Sequence, residues 1–176
     1  MLISFNTALF LAFAVFYIPA TFAQGLPKKG SNLSNPSLSK YKGSWISING
    51  TDTIRMKLKV ENVSIQHGLD IHADALVGYV SIKHGNQLIY DNLKNFASSY
   101  KDKAYSIFAG LDQKSDTISG TLVDEPKIKF YDIKIIRKDN RNLEIVLGRD
   151  KVLKSGTPTK SGRTFPSNMI FRREKE

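Results

Sequence analysis

Apolar and polar residues alternate in short segments through most of the chain from Tyr41 onward. The clearest segment is residues 54–60, where Ile54, Met56, Leu58 and Val60 alternate with Arg55, Lys57 and Lys59. A period of two residues is typical of a β-strand with one face in solvent. A second alternating segment, residues 43–48, ends just before Asn49-Gly50. Because both of these residues tolerate a positive φ, the pair predicts a tight hairpin turn between two strands.

Further segments of this kind predict additional strands. They span residues 76–82, 87–92, 106–111, 116–123, 127–137, 143–147 and 168–172. The alternation changes phase near Asp132, which predicts a bulge. Residues 93–104 fit a short helical turn or a loop over one end, and residues 67–75 are interpreted as a polar loop. No segment has sustained helical periodicity, so the sequence predicts an all-β antiparallel meander of about 8–10 strands that closes as a barrel or a sandwich.

The first 23 residues differ from the rest of the chain. They contain no charged side chain, they are almost entirely apolar from Ala8 to Ile18, and Pro19 follows. Small residues stand at positions −3 and −1 of a cut after Ala23, which is the layout of a secretory signal peptide. The apolar run is shorter than the roughly 20 residues of a membrane-spanning helix, so an uncleaved anchor is the weaker alternative. We expect a secreted or periplasmic protein that begins at Gln24 and is not transmembrane after cleavage.

The remaining chain divides into two parts by composition. Residues 24–40 are rich in Ser, Asn, Gly, Pro and Lys and contain few core-forming side chains. This composition predicts a flexible N-terminal arm. Residues 41–173 carry the alternating segments and have the length of one domain. The sequence therefore predicts a single β-barrel-like domain behind an arm.

Charge and cysteine content narrow the classes of partner and site. The chain has no Cys, which excludes disulfides, thiol nucleophiles and Cys-ligated metals and favours a bacterial periplasm or outer surface. All 26 Lys and Arg and all 16 Asp and Glu follow residue 23, which gives a net charge of +10. A basic surface suits an anionic polysaccharide or an anionic lipid surface. Nucleic acid is not predicted, because no recognition motif is present.

One short motif at the start of the domain resembles a known fold family. Gly43-x-Trp45 follows the loose arm and is similar to the Gly-x-Trp opening of lipocalin-like barrels. The resemblance implies a lipocalin-like barrel in which Trp45 plugs one end. It also implies that an arginine near the last strand, Arg172 or Arg173, covers the Trp45 ring.

A barrel interior can be a packed core or a cavity for a small apolar ligand, and the same residues serve both. The apolar positions predicted to point inward are Ile54, Met56, Leu58, Tyr79, Phe130 and Ile145. With the lipocalin-like motif added, the candidate binding residues are Trp45, Met56, Tyr79, Phe130 and Arg172. The oligomeric state is left open.

A second resemblance covers most of the chain after residue 40. It is carried in order by Gly43-Ser44-Trp45, Asn49-Gly50-x-Asp52-Thr53, Leu76-Val77-Gly78-Tyr79, Ile118-Ser119-Gly120-x-Leu122-x-Asp124 and Phe165-Pro166-Ser167-Asn168-Met169. These motifs resemble a family of small secreted bacterial β-proteins of unknown function. The resemblance implies export and a β fold, and it implies no catalytic or binding residues.

Chemical motifs are sparse. His67, Asp70, His72 and Asp74 have a spacing that could ligate Zn²⁺ or Ca²⁺, but a solvated polar loop is the favoured interpretation. No nucleophile, phosphate-binding or metalloprotease motif appears. The sequence therefore predicts no cofactor, no metal and a non-enzymatic binding module for an apolar ligand or an anionic envelope polymer. An envelope-associated structural protein and a hydrolase with paired carboxylates are the alternatives.

Overall fold

The computed structural model describes residues 27–66, 70–114, 116–152 and 158–175. The predicted signal peptide and His67 lie outside the described residues. Ten strands span most of the described chain: β1 (Asn32–Leu33), β2 (Gly43–Asn49), β3 (Asp52–Gln66), β4 (Ile71–His84), β5 (Gln87–Asp91), β6 (Ile107–Lys114), β7 (Thr117–Asp124), β8 (Lys129–Arg137), β9 (Asn142–Val152) and β10 (Asn168–Arg173). Short 3-10 helices cover Pro36–Tyr41, Leu93–Asn95, Tyr100–Asp102 and Glu125–Lys127.

Eight of these strands form a closed antiparallel barrel. Strands β2, β3, β4, β6, β7, β8, β9 and β10 pair in that order, and β10 pairs with β2 to close the ring. The closing register places Arg172 opposite Ile46 and Arg173 opposite Trp45. The strands of the ring follow chain order, as in up-and-down barrels, except that β5 lies between β4 and β6 in the chain and pairs outside the ring. The predicted all-β antiparallel meander and its closure as a barrel are confirmed.

The β2–β3 hairpin turns where the sequence predicts it. Asn49 pairs with Asp52, and Gly50 adopts a φ of 58°. Strand β3 continues beyond the alternating segment to Gln66, and its buried residues Ile54, Met56 and Leu58 point into the barrel. Strands β8 and β9 shift register between Tyr131 and Ile133, which confirms an irregularity near Asp132.

Strand β4 shares one edge among three partners. The edge pairs with β1 near residue 72, with β6 at residues 76–78 and with β5 at residues 81–84. The strand begins at Ile71, so the interpretation of residues 67–75 as a loop is wrong from Ile71 onward. The polar residues His72 and Asp74 alternate there with apolar residues that are buried in the barrel, and this alternation is that of a strand. The buried residues are Ile71, Ala73 and Ala75.

Residues 93–104 cover the outer wall of β3 and β4 and not an end of the barrel. Lys59 Nζ donates to the carbonyls of Phe96 and Ser98, at 2.8 and 2.5 Å, and lies 2.8 Å from a carboxylate oxygen of Glu61. The Tyr100 N–H donates to Glu61 at 2.9 Å. Burial opposes ionisation of Glu61, but Lys59 and the Tyr100 N–H outweigh burial and lower its pKa. This wall of the barrel is therefore buried on both faces.

The segment before β2 is packed against the barrel. Asn32 and Leu33 pair with β4, and Leu38, in the 3-10 helix, is fully buried. The side chain of Asp74 accepts hydrogen bonds from the Asn35 N–H at 2.9 Å and from Asn62 at 3.1 Å, and the Asn35 bond is the main cause of its lowered pKa. The predicted flexible arm of residues 24–40 is thus corrected from residue 32 on, since these residues belong to the barrel domain.

One end of the barrel, called here the closed end, is sealed around Trp45. The indole N–H donates to the Tyr41 carbonyl at 3.0 Å, and the Arg173 guanidinium carbon lies 4.3 Å from the ring centroid. Arg173 also donates to the carbonyls of Lys42 and Lys40, at 2.8 and 3.1 Å. Gly43 permits this arrangement, because a Cβ there would lie 2.7 Å from an Arg173 nitrogen.

Candidate anion-binding site at the barrel mouth

The opposite end of the barrel, called here the mouth, is crossed by residues 158–167, the mouth segment. Phe165 of this segment is 2% exposed and belongs to the same core as the inward side chains of the strands. The Leu147 N–H donates to the Ser167 carbonyl at 2.8 Å, and the Lys160 N–H donates to the Lys127 carbonyl at 3.2 Å. The mouth segment is therefore fixed to β9 on one side and to the turn before β8 on the other.

A buried carboxylate anchors the centre of the mouth segment. Asp124, the last residue of β7, is 0% exposed. One of its oxygens accepts the Thr164 N–H at 2.9 Å, and the other accepts the Thr164 hydroxyl at 2.6 Å. Hydrogen bonds to an ionised group are stronger than those between neutral groups. This pair holds Thr164, and with it the neighbouring Arg163, in a defined place.

Three cations line an opening beside this anchor. The opening has a volume of about 450 Å³, and its lining includes Lys127, Lys160 and Arg163. Within the described ranges none of the three forms an ion pair with a carboxylate, whereas six other Lys and Arg side chains do. Unpaired cations on a concave surface concentrate anions from solution. The mouth is therefore the part of this basic barrel best suited to hold an anion.

Aromatic packing and a contact between a histidine and a carboxylate shape the floor and rim of the opening. The Arg163 guanidinium carbon lies 5.3 Å from the Tyr131 ring centroid, and such stacking keeps the planar group extended over the mouth. Burial raises the pKa of Tyr131, and the nearby Asp124 charge adds to the effect, so its hydroxyl stays neutral. On the rim, His84 Nδ1 lies 2.6 Å from an Asp52 oxygen. Asp52 lines the same opening as the three cations, so its lining carries one carboxylate beside three cations.

Two of the five predicted binding residues lie in the barrel interior. Trp45 and Met56 are both 0% exposed and belong to the core cluster. They are packed among other buried side chains: Ile54, Leu58, Leu76, Val80, Tyr131, Ile133, Leu143, Ile145 and Phe171 are examples. Large side chains thus fill the interior positions, while openings of about 830 and 450 Å³ lie at the surface.

The prediction that Tyr79, Phe130 and Arg172 face the barrel interior is wrong. Tyr79 pairs across the sheet with Lys57 and therefore lies on the outer face, where its ring packs at 5.7 Å edge-on against Phe96. Phe130 precedes the inward residue Tyr131, so it faces outward as well. The inward side chains of β8 are Tyr131, Ile133 and Ile135, and because alternate residues of a strand face opposite sides, Phe130 lies on the outer face.

Arg172 is likewise an outer-face residue. It alternates with the buried residues Met169 and Phe171 on β10, and it lies opposite Ile46. The role that the lipocalin-like motif implies, an arginine over the tryptophan ring, is filled by Arg173. The relationship to lipocalins itself stays a prediction.

The residues of the mouth were missed by sequence reasoning. Lys127 follows a proline turn, and Lys160 and Arg163 lie in a Gly-, Ser- and Thr-rich segment with no apolar periodicity. The mouth segment joins Lys127 only through the hydrogen bonds that fold it back across the barrel end. The available signal was that Lys160 and Arg163 closely precede the Phe165-Pro166 motif.

Three of the four residues of the candidate metal loop, Asp70, His72 and Asp74, lie within the described chain. His72 Nε2 lies 3.1 Å from an Asp70 oxygen. Asp74 is occupied by Asn35 and Asn62. No group of three His, Asp or Glu side chains suited to a metal ion occurs among the described residues.

With the barrel and its mouth defined, comparison with known proteins places the chain in a family. The sequence profile of DUF6705, a family of unknown function, matches residues 5–174. The chain belongs to this family. The predicted membership of an uncharacterised family is therefore confirmed for this DUF6705 protein, although the motif pattern quoted for it stays a prediction. No curated protein and no solved structure matches the chain. Over the part of the DUF6705 chain that the structure describes, no helix is long and apolar enough to cross a membrane.

Proposed function

We propose that this DUF6705 protein is an exported, non-enzymatic binding protein that takes an anionic envelope component at its barrel mouth. The single observation that carries the proposal is the juxtaposition of Lys127, Lys160 and Arg163 around one opening, none of them in an ion pair with a carboxylate of the described residues. The packed interior supports a surface site over an interior apolar ligand site.

The arrangement of the mouth suits an extended anion. Lys127 and Lys160 are linked through their backbones, and Arg163 lies three residues beyond Lys160 on the anchored mouth segment. Arginine engages carboxylate and phosphate oxygens in pairs, while lysine supplies a point charge. Three cations held on one concave surface would contact successive charged groups of a polymer. Each such exposed contact is worth about 1 kcal/mol or less and weakens as salt rises.

The test is calorimetric titration of the purified protein with polygalacturonate, a carboxylate-bearing polysaccharide, and with neutral dextran. We expect binding of polygalacturonate that falls steeply between low and physiological salt, and no binding of dextran. Replacing Lys127, Lys160 and Arg163 together by Ala should reduce the affinity about tenfold, since three contacts of about half a kcal/mol each are lost.

A matched variant separates a site from overall charge. Lys42→Ala, Lys101→Ala and Lys134→Ala together remove the same number of charges from exposed positions away from the mouth. We expect this variant to bind polygalacturonate within about threefold of the parent, since only long-range screened attraction is lost. Equal losses in the two triple variants, or no binding by the parent at low salt, would refute the proposal.

Export is tested separately. We expect the mature protein in the envelope or medium fraction of its host to begin at Gln24, and N-terminal sequencing would detect this. A chain that starts at Met1 in the cytoplasmic fraction would contradict export and leave the calorimetric test of the mouth unaffected.

A further inference from the structure

Exposed aliphatic side chains are concentrated at the mouth. Six large aliphatic residues of the described chain are at least 42% exposed: Leu33, Ile48, Ile65, Leu88, Ile89 and Ile170. Four of them, Ile48, Leu88, Ile89 and Ile170, lie on the half of the barrel that carries the mouth. Leu33 and Ile65 lie near the opposite end, beside the Asp74 anchor of the N-terminal segment.

The strand registers explain how these four residues come together. Ile48 is the penultimate residue of β2, and the antiparallel register of β2 and β10 brings Ile170 beside it. Both residues line an opening that also includes Pro166 of the mouth segment. Leu88 and Ile89 lie on β5, which pairs with the last residues of β4, and Ile89 lines the same opening as the three cations. The aliphatic residues thus flank the basic mouth from two sides.

An anionic polymer in solution does not require such a flank. Exposed aliphatic side chains are stabilised when they are removed from water, and cations at the same surface are stabilised by a negatively charged plane. A surface that combines the two matches the interface of a bilayer with anionic headgroups. A second copy of the chain would fit poorly, because each copy carries a net charge of +10.

We infer that the mouth end of the barrel docks on an anionic lipid surface, with Lys127, Lys160 and Arg163 at the headgroups and the flanking aliphatic residues in the interface. This inference rests on the proposed anionic binding at the mouth and names the partner of that site.

The experiment is co-sedimentation of the purified protein with vesicles of phosphatidylglycerol and phosphatidylcholine in equal parts, and with vesicles of phosphatidylcholine alone. The parent should bind the anionic vesicles and should not bind the neutral ones. The double variant Ile48→Thr with Leu88→Thr keeps the charges and should lower vesicle affinity by about tenfold, because two half-exposed aliphatic groups are lost from the interface. The single variant Ile65→Thr is the control at the other end and should bind as the parent does.

Titration of the same variants with polygalacturonate separates this inference from the proposed function. The aliphatic double variant should bind the polymer like the parent, and the triple variant that lacks the mouth cations should lose affinity for both polymer and vesicles. Vesicle binding that is unchanged in the aliphatic double variant would overturn the lipid inference alone. A concentration-dependent dimer that the same substitutions abolish would also overturn it, in favour of contact between copies. Loss of polymer binding in the parent would instead overturn the proposed function.

Discussion

The anchor between Asp124 and Thr164 offers a direct test of how the mouth is built. We consider the substitution Thr164→Val, which keeps the branched shape of the side chain and removes its hydroxyl. The Asp124 oxygen that accepts this hydroxyl at 2.6 Å would then lose its partner, while the Thr164 N–H would still donate to the other oxygen. Because Asp124 is 0% exposed, water is poorly placed to substitute for the lost donor.

The expected cost follows from the kind of bond that is lost. A hydrogen bond to a charged group contributes about 1.5–3 kcal/mol, and leaving a buried charged acceptor unpaired costs at least as much. We therefore expect a loss of about 2 kcal/mol in the free energy of unfolding. For a domain of this size the midpoint of thermal unfolding should fall by about 4–8 °C. Affinity for polygalacturonate should fall as well, since Arg163 is held by its neighbour Thr164.

The assay is urea unfolding followed by the fluorescence of Trp45, the one tryptophan of the chain and a fully buried side chain. Thr164→Ser is the control, because it keeps the hydroxyl and removes only a methyl group. It should retain most of the stability that Thr164→Val loses. A Thr164→Val protein within about 0.5 kcal/mol of the parent would show that the anchor does not stabilise the mouth, as would an equal loss in both variants.

Three further predictions concern the barrel wall and the closed end. Gly120→Ala should cost about 1–3 kcal/mol in urea unfolding, because a Cβ there would lie 2.3 Å from a neighbouring Cβ and 2.5 Å from a backbone oxygen; a stability unchanged from the parent would contradict this. Arg173→Lys should lower the free energy of unfolding by about 1–2 kcal/mol and shift the Trp45 emission to longer wavelength. The control Arg172→Lys should change neither property, and similar effects of the two substitutions would refute the assigned roles. The pKa of Glu61 is lowered in the folded protein, so its ionised form stabilises the fold. This contribution to the free energy of unfolding is complete above the unfolded pKa of about 4.3 and is lost as pH falls through the lower folded value. The stability difference between the parent and Glu61→Gln should therefore shrink on going from about pH 5 to pH 3, and a difference that widens would show the sign to be wrong.

The strands with one solvent-exposed face could be predicted from the sequence. On β3 the alternation of Ile54, Met56 and Leu58 with basic residues reports directly which side chains enter the core. The Asn49-Gly50 turn fixes the register of the first hairpin, and the antiparallel barrel follows from a series of such segments. This part of the fold depends on patterns between residues close together in the chain, so it can be predicted from a single sequence.

The failures occur where both faces of a strand are covered. Strand β4 reads Leu76-Val77-Gly78-Tyr79-Val80, an apolar run without alternation, because residues 93–104 bury its outer face. No pattern among the neighbouring residues therefore indicates which face of β4 carries Tyr79. The mouth was missed for a related reason, since Lys127 and Lys160 meet only after the barrel has closed.

Closure of the ring depends on the last strand of the domain. The β2–β10 seam consists of the pairs Arg172–Ile46 and Arg173–Trp45, extended by a hydrogen bond from the Glu174 N–H to the Ser44 carbonyl at 2.9 Å. These contacts join residues about as far apart in sequence as the domain allows, and such pairings form late in folding. A nascent chain that has not yet released β10 therefore remains an open sheet with two unpaired edges. Aggregation during synthesis should accordingly be most sensitive to truncations that remove β10.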